Sequence, residues 1–86
     1  MSVMIDATHT GLVAKALRIR SLPAPSMRRA LRQNANLPME DIAAELGVTR
    51  QTVSNWERGV RTPRGQHLER YLSVLNDLRR LEEAAA

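Results

Sequence analysis

Between Met39 and Trp56 the chain reads MEDIAAELGVTRQTVSNW, and five apolar side chains take the fourth, eighth, tenth, fifteenth and eighteenth places of that frame: Ile42, Leu46, Val48, Val53 and Trp56. Ala43 holds the fifth place and Gly47 the ninth. The spacing describes two short helices that meet across a tight turn and are cemented at a steep angle by the five apolar residues. Ala43 is small because the second helix crosses close to it. Gly47 supplies the positive φ of the turn. Seven matched places in one frame make an ordinary pair of helices the weaker reading.

The rest of the chain builds around this frame. Eighty-six residues make one small domain, with room for four or five packed helices and too little for an enzyme with a deep cleft. No cysteine is present, so neither a disulfide nor a thiolate metal site staples the fold, and His9 and His67 are too far apart to suggest a metal pair. With no Phe, one Trp and one Tyr, the core must come from Leu, Ile, Val, Met and Ala. A module of this kind often draws its last few kcal/mol from self-association. No run is long enough for a signal sequence or a membrane span, so a soluble, cytoplasmic protein without membrane contact is expected.

Residues 1–9 read as a loose leader, followed by a helix over about 10–20 with Thr10 as its N-cap and a stripe at Leu12, Val13, Ala16 and Leu17. LPAP at 22–25 ends it. A second helix is expected from Ser26 to Ala35, with Met27, Ala30 and Leu31 inward; Arg28 and Arg29 stand in its first turn, the unfavourable end for cations. The third runs from Met39 to Leu46 behind Pro38, with Glu40 and Asp41 at the end that favours anions. Thr49 caps the fourth, Arg50 to Arg58, by accepting from the N–H of Gln51 or Thr52, and Gly59 ends it. A last helix begins near Pro63 to Gln66, carries Leu68, Tyr71, Leu72, Leu75, Leu78 and Leu81, and fades into EEAAA. The expected division is an N-terminal extension over 1–21, a domain over 22–82 and a frayed tail over 83–86.

Net charge is +4, carried by twelve Arg against one Lys. Such a balance favours anionic partners, and Arg grips phosphate through two parallel N–H bonds where Lys offers a point charge. Codon bias accounts equally well for the Arg to Lys ratio. It does not account for where the arginines lie.

The segment LRQNANLPMEDIAAELGVTRQTVSNWERGVRTP resembles the DNA-binding domain of the lambda-repressor-like (Cro/CI, XRE) regulators, and RTPRGQHLERYLSVL is similar to a continuation found in actinobacterial and phage members. The likeness covers about residues 22–76. It implies an all-α, compact bundle of about five helices containing a helix-turn-helix, with the first helix of this chain as an extra N-terminal element. It also implies that the helix from Arg50 to Arg58 enters the major groove. Its leading polar residues then face base edges, which explains hydrogen-bonding side chains of limited length where Lys and Glu would serve solubility better. Arg50 suits guanine O6 and N7, Gln51 and Asn55 suit adenine N6 and N7, and Thr52 and Ser54 suit a phosphate or a thymine methyl. Phosphate contacts are expected from Thr49, Arg58, Arg61 and Arg64, and from Arg28 and Arg29. The family often places Gln at the first place of the frame and a capping Thr or Ser before it; here Met39 and Pro38 stand there, so that phosphate contact is lost or replaced. The resemblance further implies a partly buried ion pair between Arg32 and Glu57. Trp56 is expected to pack beneath the motif, with contact to the DNA backbone as the other reading.

The function so implied is a sequence-specific regulator, phage-repressor-like or Cro-like, that occupies a palindromic operator on double-stranded DNA as a homodimer and uses no cofactor or metal. Two rivals stand beside it: an antitoxin or adaptor that holds a protein partner through the N-terminal helix, and an architectural factor for phage recombination. Enzymatic chemistry is not expected, since there is no Cys nucleophile, no metal set and no glycine-rich phosphate loop, and Glu82 and Glu83 sit in the tail.

Overall fold

The structure is a computed structural model that describes residues 10–85; the expected leader over 1–9, His9 with it, and Ala86 lie outside the described residues. Five helices follow one another: α1 (Thr10–Ser21), α2 (Pro25–Asn34), α3 (Met39–Leu46), α4 (Arg50–Glu57) and α5 (Gln66–Ala85). Among the described residues there is no strand, and no helix is long and apolar enough to cross a membrane.

The ends of α2, α3 and α4 share one device. Asn36, Gly47 and Gly59 adopt left-handed backbone at φ 58°, 68° and 74°. The next residue's N–H then donates back into the helix: Leu37 to the Arg32 carbonyl at 3.2 Å, Val48 to Ala43 at 3.0 Å and Val60 to Asn55 at 3.0 Å. This is the Schellman geometry, which satisfies carbonyls the helix itself leaves unpaired. Gly59 has a second constraint, because a Cβ there would lie 2.9 Å from Pro25 Cγ. The starts differ: α2 opens with Pro25, Pro38 precedes α3 without a side-chain cap, and Thr49 Oγ1 accepts from the Thr52 N–H at 3.1 Å to open α4. Thr10 is helical and is the first described residue of α1.

Leu31, Ile42, Ala43, Leu46, Val53, Trp56, Tyr71 and Leu75 form the buried core, with Leu22, Leu37, Met39, Val48, Val74 and Leu78 packed against it. Helix α3 lies on α4, and α2 and α3 both pack on α5. Three expectations change. Met27 is 47% exposed, because α2 is rotated to turn Arg28 and Arg32 inward, which carries the residue before Arg28 to the surface. Leu81 is 58% exposed, at the edge of a depression beside the end of α2 rather than in the core. The tail is helical through Ala85, helped by alanine's high helix propensity and by a bond from Asn34 Nδ2 to Glu82 Oε1 at 3.2 Å. Helix α1 packs on α5 and buries none of its residues.

Tyr71 stacks against Trp56 with ring centroids 4.8 Å apart. Its hydroxyl is buried without a hydrogen-bond partner among the described residues, and burial pushes its pKa up to about 12. The unfolded phenol ionises near 10. Stability is therefore full below pH 10 and declines as pH rises from 10 through 12, where only the unfolded chain gains by losing the proton; the loss reaches about 2–3 kcal/mol. Urea denaturation between pH 8 and 12 should show this decline, and Tyr71→Phe, which removes the chain's single tyrosine, should abolish that part of it.

Candidate nucleic-acid interface

Helix α4 has eight residues, too few to be stable alone. What fixes it is its apolar face and two arginines of α2. Arg28 NH1 donates to the Trp56 carbonyl at 2.9 Å and Arg28 Nε to the Pro23 carbonyl at 2.8 Å. One turn further along α2, Arg32 donates from Nε and NH2 to the two oxygens of Glu57 at 2.5 and 2.9 Å, and from NH1 to the Leu37 carbonyl at 2.9 Å. All three side chains are buried. The hydrogen bond to Glu57 foremost holds the Arg32 pKa above the ordinary arginine value. Two cations thus meet the C-terminal end of α4, where the helix dipole is negative and carbonyls lack partners.

Arg28 was expected at a phosphate and is instead a fastening of α4, with two of its three nitrogens engaged by backbone carbonyls. Its place at the unfavourable end of α2 is explained by the favourable end of α4. Arg70 does similar work for α3, reaching from α5 to the Glu45 carbonyl at 2.5 Å. The Arg32–Glu57 contact, expected to be partly buried, leaves only 10% and 3% of the two side chains exposed.

With Val53, Trp56 and Glu57 turned inward, the 3.6-residue period sends Gln51, Asn55 and Arg58 outward, with Arg50 and Ser54 along one flank and Thr52 along the other. Arg50, Gln51 and Arg58 are exposed; Thr52, Ser54 and Asn55 are half-buried. Gln51 Nε2 donates to Asn55 Oδ1 at 3.0 Å, which leaves the Gln51 carbonyl and its second N–H facing out. The Thr49 hydroxyl is engaged in the cap and lies 2.9 Å from the Thr52 hydroxyl. Beyond the helix, the N–H groups of Val60 and Arg61 both donate to the Asn55 carbonyl, at 3.0 and 3.3 Å, so the loop carrying Arg61 and Arg64 is folded back beside α4. Arg61, Arg64 and Arg29 are exposed.

Sequence reasoning missed one member of this surface. Glu40, assigned only to the start of α3, meets Arg50 Nε at 2.7 Å, because the crossing of the two helices brings their first turns together. The pair is exposed and contributes little to stability.

The packed pair of α3 and α4 across its tight turn, with the outward polar row of α4, defines a helix-turn-helix DNA-binding domain. A helix-turn-helix family model matches residues 29–81, which is more than half of the chain and includes α3, α4 and most of α2 and α5. The protein belongs to this family, in its XRE, lambda-repressor-like form, and is a DNA-binding regulator of that type. Comparison with curated proteins and with solved structures found no match. Helix α1 lies outside the matched residues.

Removing one member of the buried pair leaves the other charged and unpartnered. Glu57→Gln should cost about 3–5 kcal/mol, a large part of the stability of a domain this size. Urea denaturation followed by Trp56 fluorescence measures it. The double replacement Arg32→Met, Glu57→Leu should recover much of the loss, and an unchanged midpoint for Glu57→Gln would contradict the assignment.

Proposed function

We propose that the protein is a sequence-specific repressor of the phage or Cro-like type, and that it acts by occupying its operator without a cofactor. The outward row of α4 carries this reading: hydrogen-bonding side chains of limited length on a helix fastened to the bundle from behind. Arg50 reads guanine through O6 and N7. Gln51 reads adenine, accepting from N6 through its carbonyl and donating to N7 with the N–H that Asn55 does not use. Asn55, Thr52 and Ser54 support neighbouring base or phosphate contacts, and Arg58, Arg61, Arg64 and Arg29 grip the backbone on either side. Two copies place their reading helices ~34 Å apart on one face of the duplex, which calls for a palindromic site.

In the stripe at Leu68, Tyr71, Leu75 and Leu78, whose heptad-like spacing also suits pairing of two copies, the first three close the core and Leu78 packs against it, so these side chains are not free for pairing. Leu12 and Leu17, 67% and 55% exposed, are. They favour α1 as the surface for self-association, and equally support the second reading, an adaptor that holds a protein partner through α1.

Selection from random duplexes should enrich inverted half-sites centred about 10 base pairs apart; no enrichment would contradict sequence-specific binding. Arg50→Ala should lose ~1–3 kcal/mol of discrimination at one base position, whereas Arg61→Ala should weaken all duplexes about equally. Equal loss on every duplex for Arg50→Ala would remove it from the base-reading set. A complex touching 6–10 phosphates should lose ~10³–10⁵ in affinity between 50 and 200 mM salt.

A further inference from the structure

Helix α1 does not only lie on α5. Its Lys15 and Ile19 form one wall of an open cleft of about 660 Å³ whose other walls are α4, through Asn55 and its neighbours, and the loop carrying Val60, Arg61 and Arg64. Among the described residues, three cations line this cleft and no carboxylate does. Two apolar side chains, Ile19 at 41% and Val60 at 56% exposed, lie uncovered in it. The cleft is continuous with the reading surface, since Thr52 and Asn55 belong to both. Its α1 wall meets α5 where Arg18 Nε lies 3.7 Å from Glu69, and the N–H of Leu22 closes the end of α1 on the Ile19 carbonyl at 3.1 Å.

We propose that this cleft seats one sugar-phosphate strand of the bound duplex, which makes α1 a second wall of the DNA interface. The Lys15 ammonium donates to a phosphate across the cleft from Arg61 and Arg64, while Ile19 and Val60 meet the apolar edges of the sugars. A polyanion with apolar edges matches three cations set among the exposed apolar side chains of Ile19 and Val60, and a strand leaving the major groove beside Asn55 passes close to this opening. The inference rests on the base-reading role of α4 and adds to it an element outside the family-matched residues. A ligand of another kind, an acidic peptide, would satisfy the same charges without continuing into the reading surface.

Lys15 is the chain's single lysine, so amine acetylation followed by mass spectrometry reports on it directly, with the N-terminal amine as internal reference. The full chain is acetylated with and without an operator duplex at low salt, and in parallel with polyglutamate. Duplex should protect Lys15, with protection lost at high salt. Lys15→Gln should weaken binding to all duplexes about equally, by roughly 3- to 10-fold, and lower the salt slope by about 1, and Lys15→Arg should restore both. The side chain is exposed, and an unchanged melting temperature for Lys15→Gln confirms that the fold is intact. Equal acetylation with and without duplex, an unchanged slope, or protection by polyglutamate alone would overturn the inference. If Arg50→Ala relaxes base preference while Lys15→Gln changes nothing, only this inference fails; if neither replacement affects duplex binding, the base-reading assignment fails with it.

Discussion

The C-terminal end of α4 is held by two guanidinium groups that stand one turn apart on α2. Arg32 makes three hydrogen bonds and Arg28 two, and both oxygens of Glu57 are engaged. Burying such charges is expensive and their mutual attraction repays it only when the geometry is complete. The consequence is less a gain in net stability than a penalty on every other position of α4. A short helix attached by apolar contacts alone could slide or roll against its neighbours. This one loses several directed bonds if it does.

Fixing α4 from behind leaves its outer face free, and the arginines divide accordingly. Arg28 and Arg32 reach inward, and Arg70 along the surface, to carbonyls and a carboxylate that end helices or lie next to their ends. Arg50, Arg58, Arg61 and Arg64 stand on the outer surface of α4 and its following loop. The planar fork of Arg suits both tasks, since each asks for several donors in one plane. Seven of the twelve arginines thus fall into two groups, three that join elements of the bundle and four exposed on α4 and the loop after it. The loop bonds that converge on the Asn55 carbonyl keep the loop that carries Arg61 close to α4.

The frame from Met39 to Trp56 was legible because each place has a local cause: a small residue at a crossing, a left-handed turn, a shared apolar seam. The boundaries of α3 and the Thr49 cap followed from the same rules. Asn36 ends α2 in left-handed backbone, which Asn is among the few residues to tolerate, but Asn is common elsewhere in helices and loops and so does not by itself mark a helix end. Arg28 was visible as an anomaly but not as a contact, since the partner that explains it is a backbone carbonyl 28 residues away, and no side-chain pattern marks a carbonyl. Likewise Glu40 reads as a helix-start anion until the crossing of α3 and α4 puts it beside Arg50. Helix α1 showed an apolar stripe, yet periodicity alone does not say how deeply a stripe is buried, and here Leu12 and Leu17 stay at the surface.

The most direct measurement is a duplex titration of the isotope-labelled protein, followed by backbone and side-chain amide resonances. The largest shifts should fall on Arg50 to Asn55, on the side-chain amides of Gln51 and Asn55, and on Arg58 to Arg64, while Leu31, Arg32 and the core positions of α5 stay still. Shifts concentrated on the far end of α5 with α4 unmoved would show that the helix held by Arg28 and Arg32 is not the surface that meets DNA.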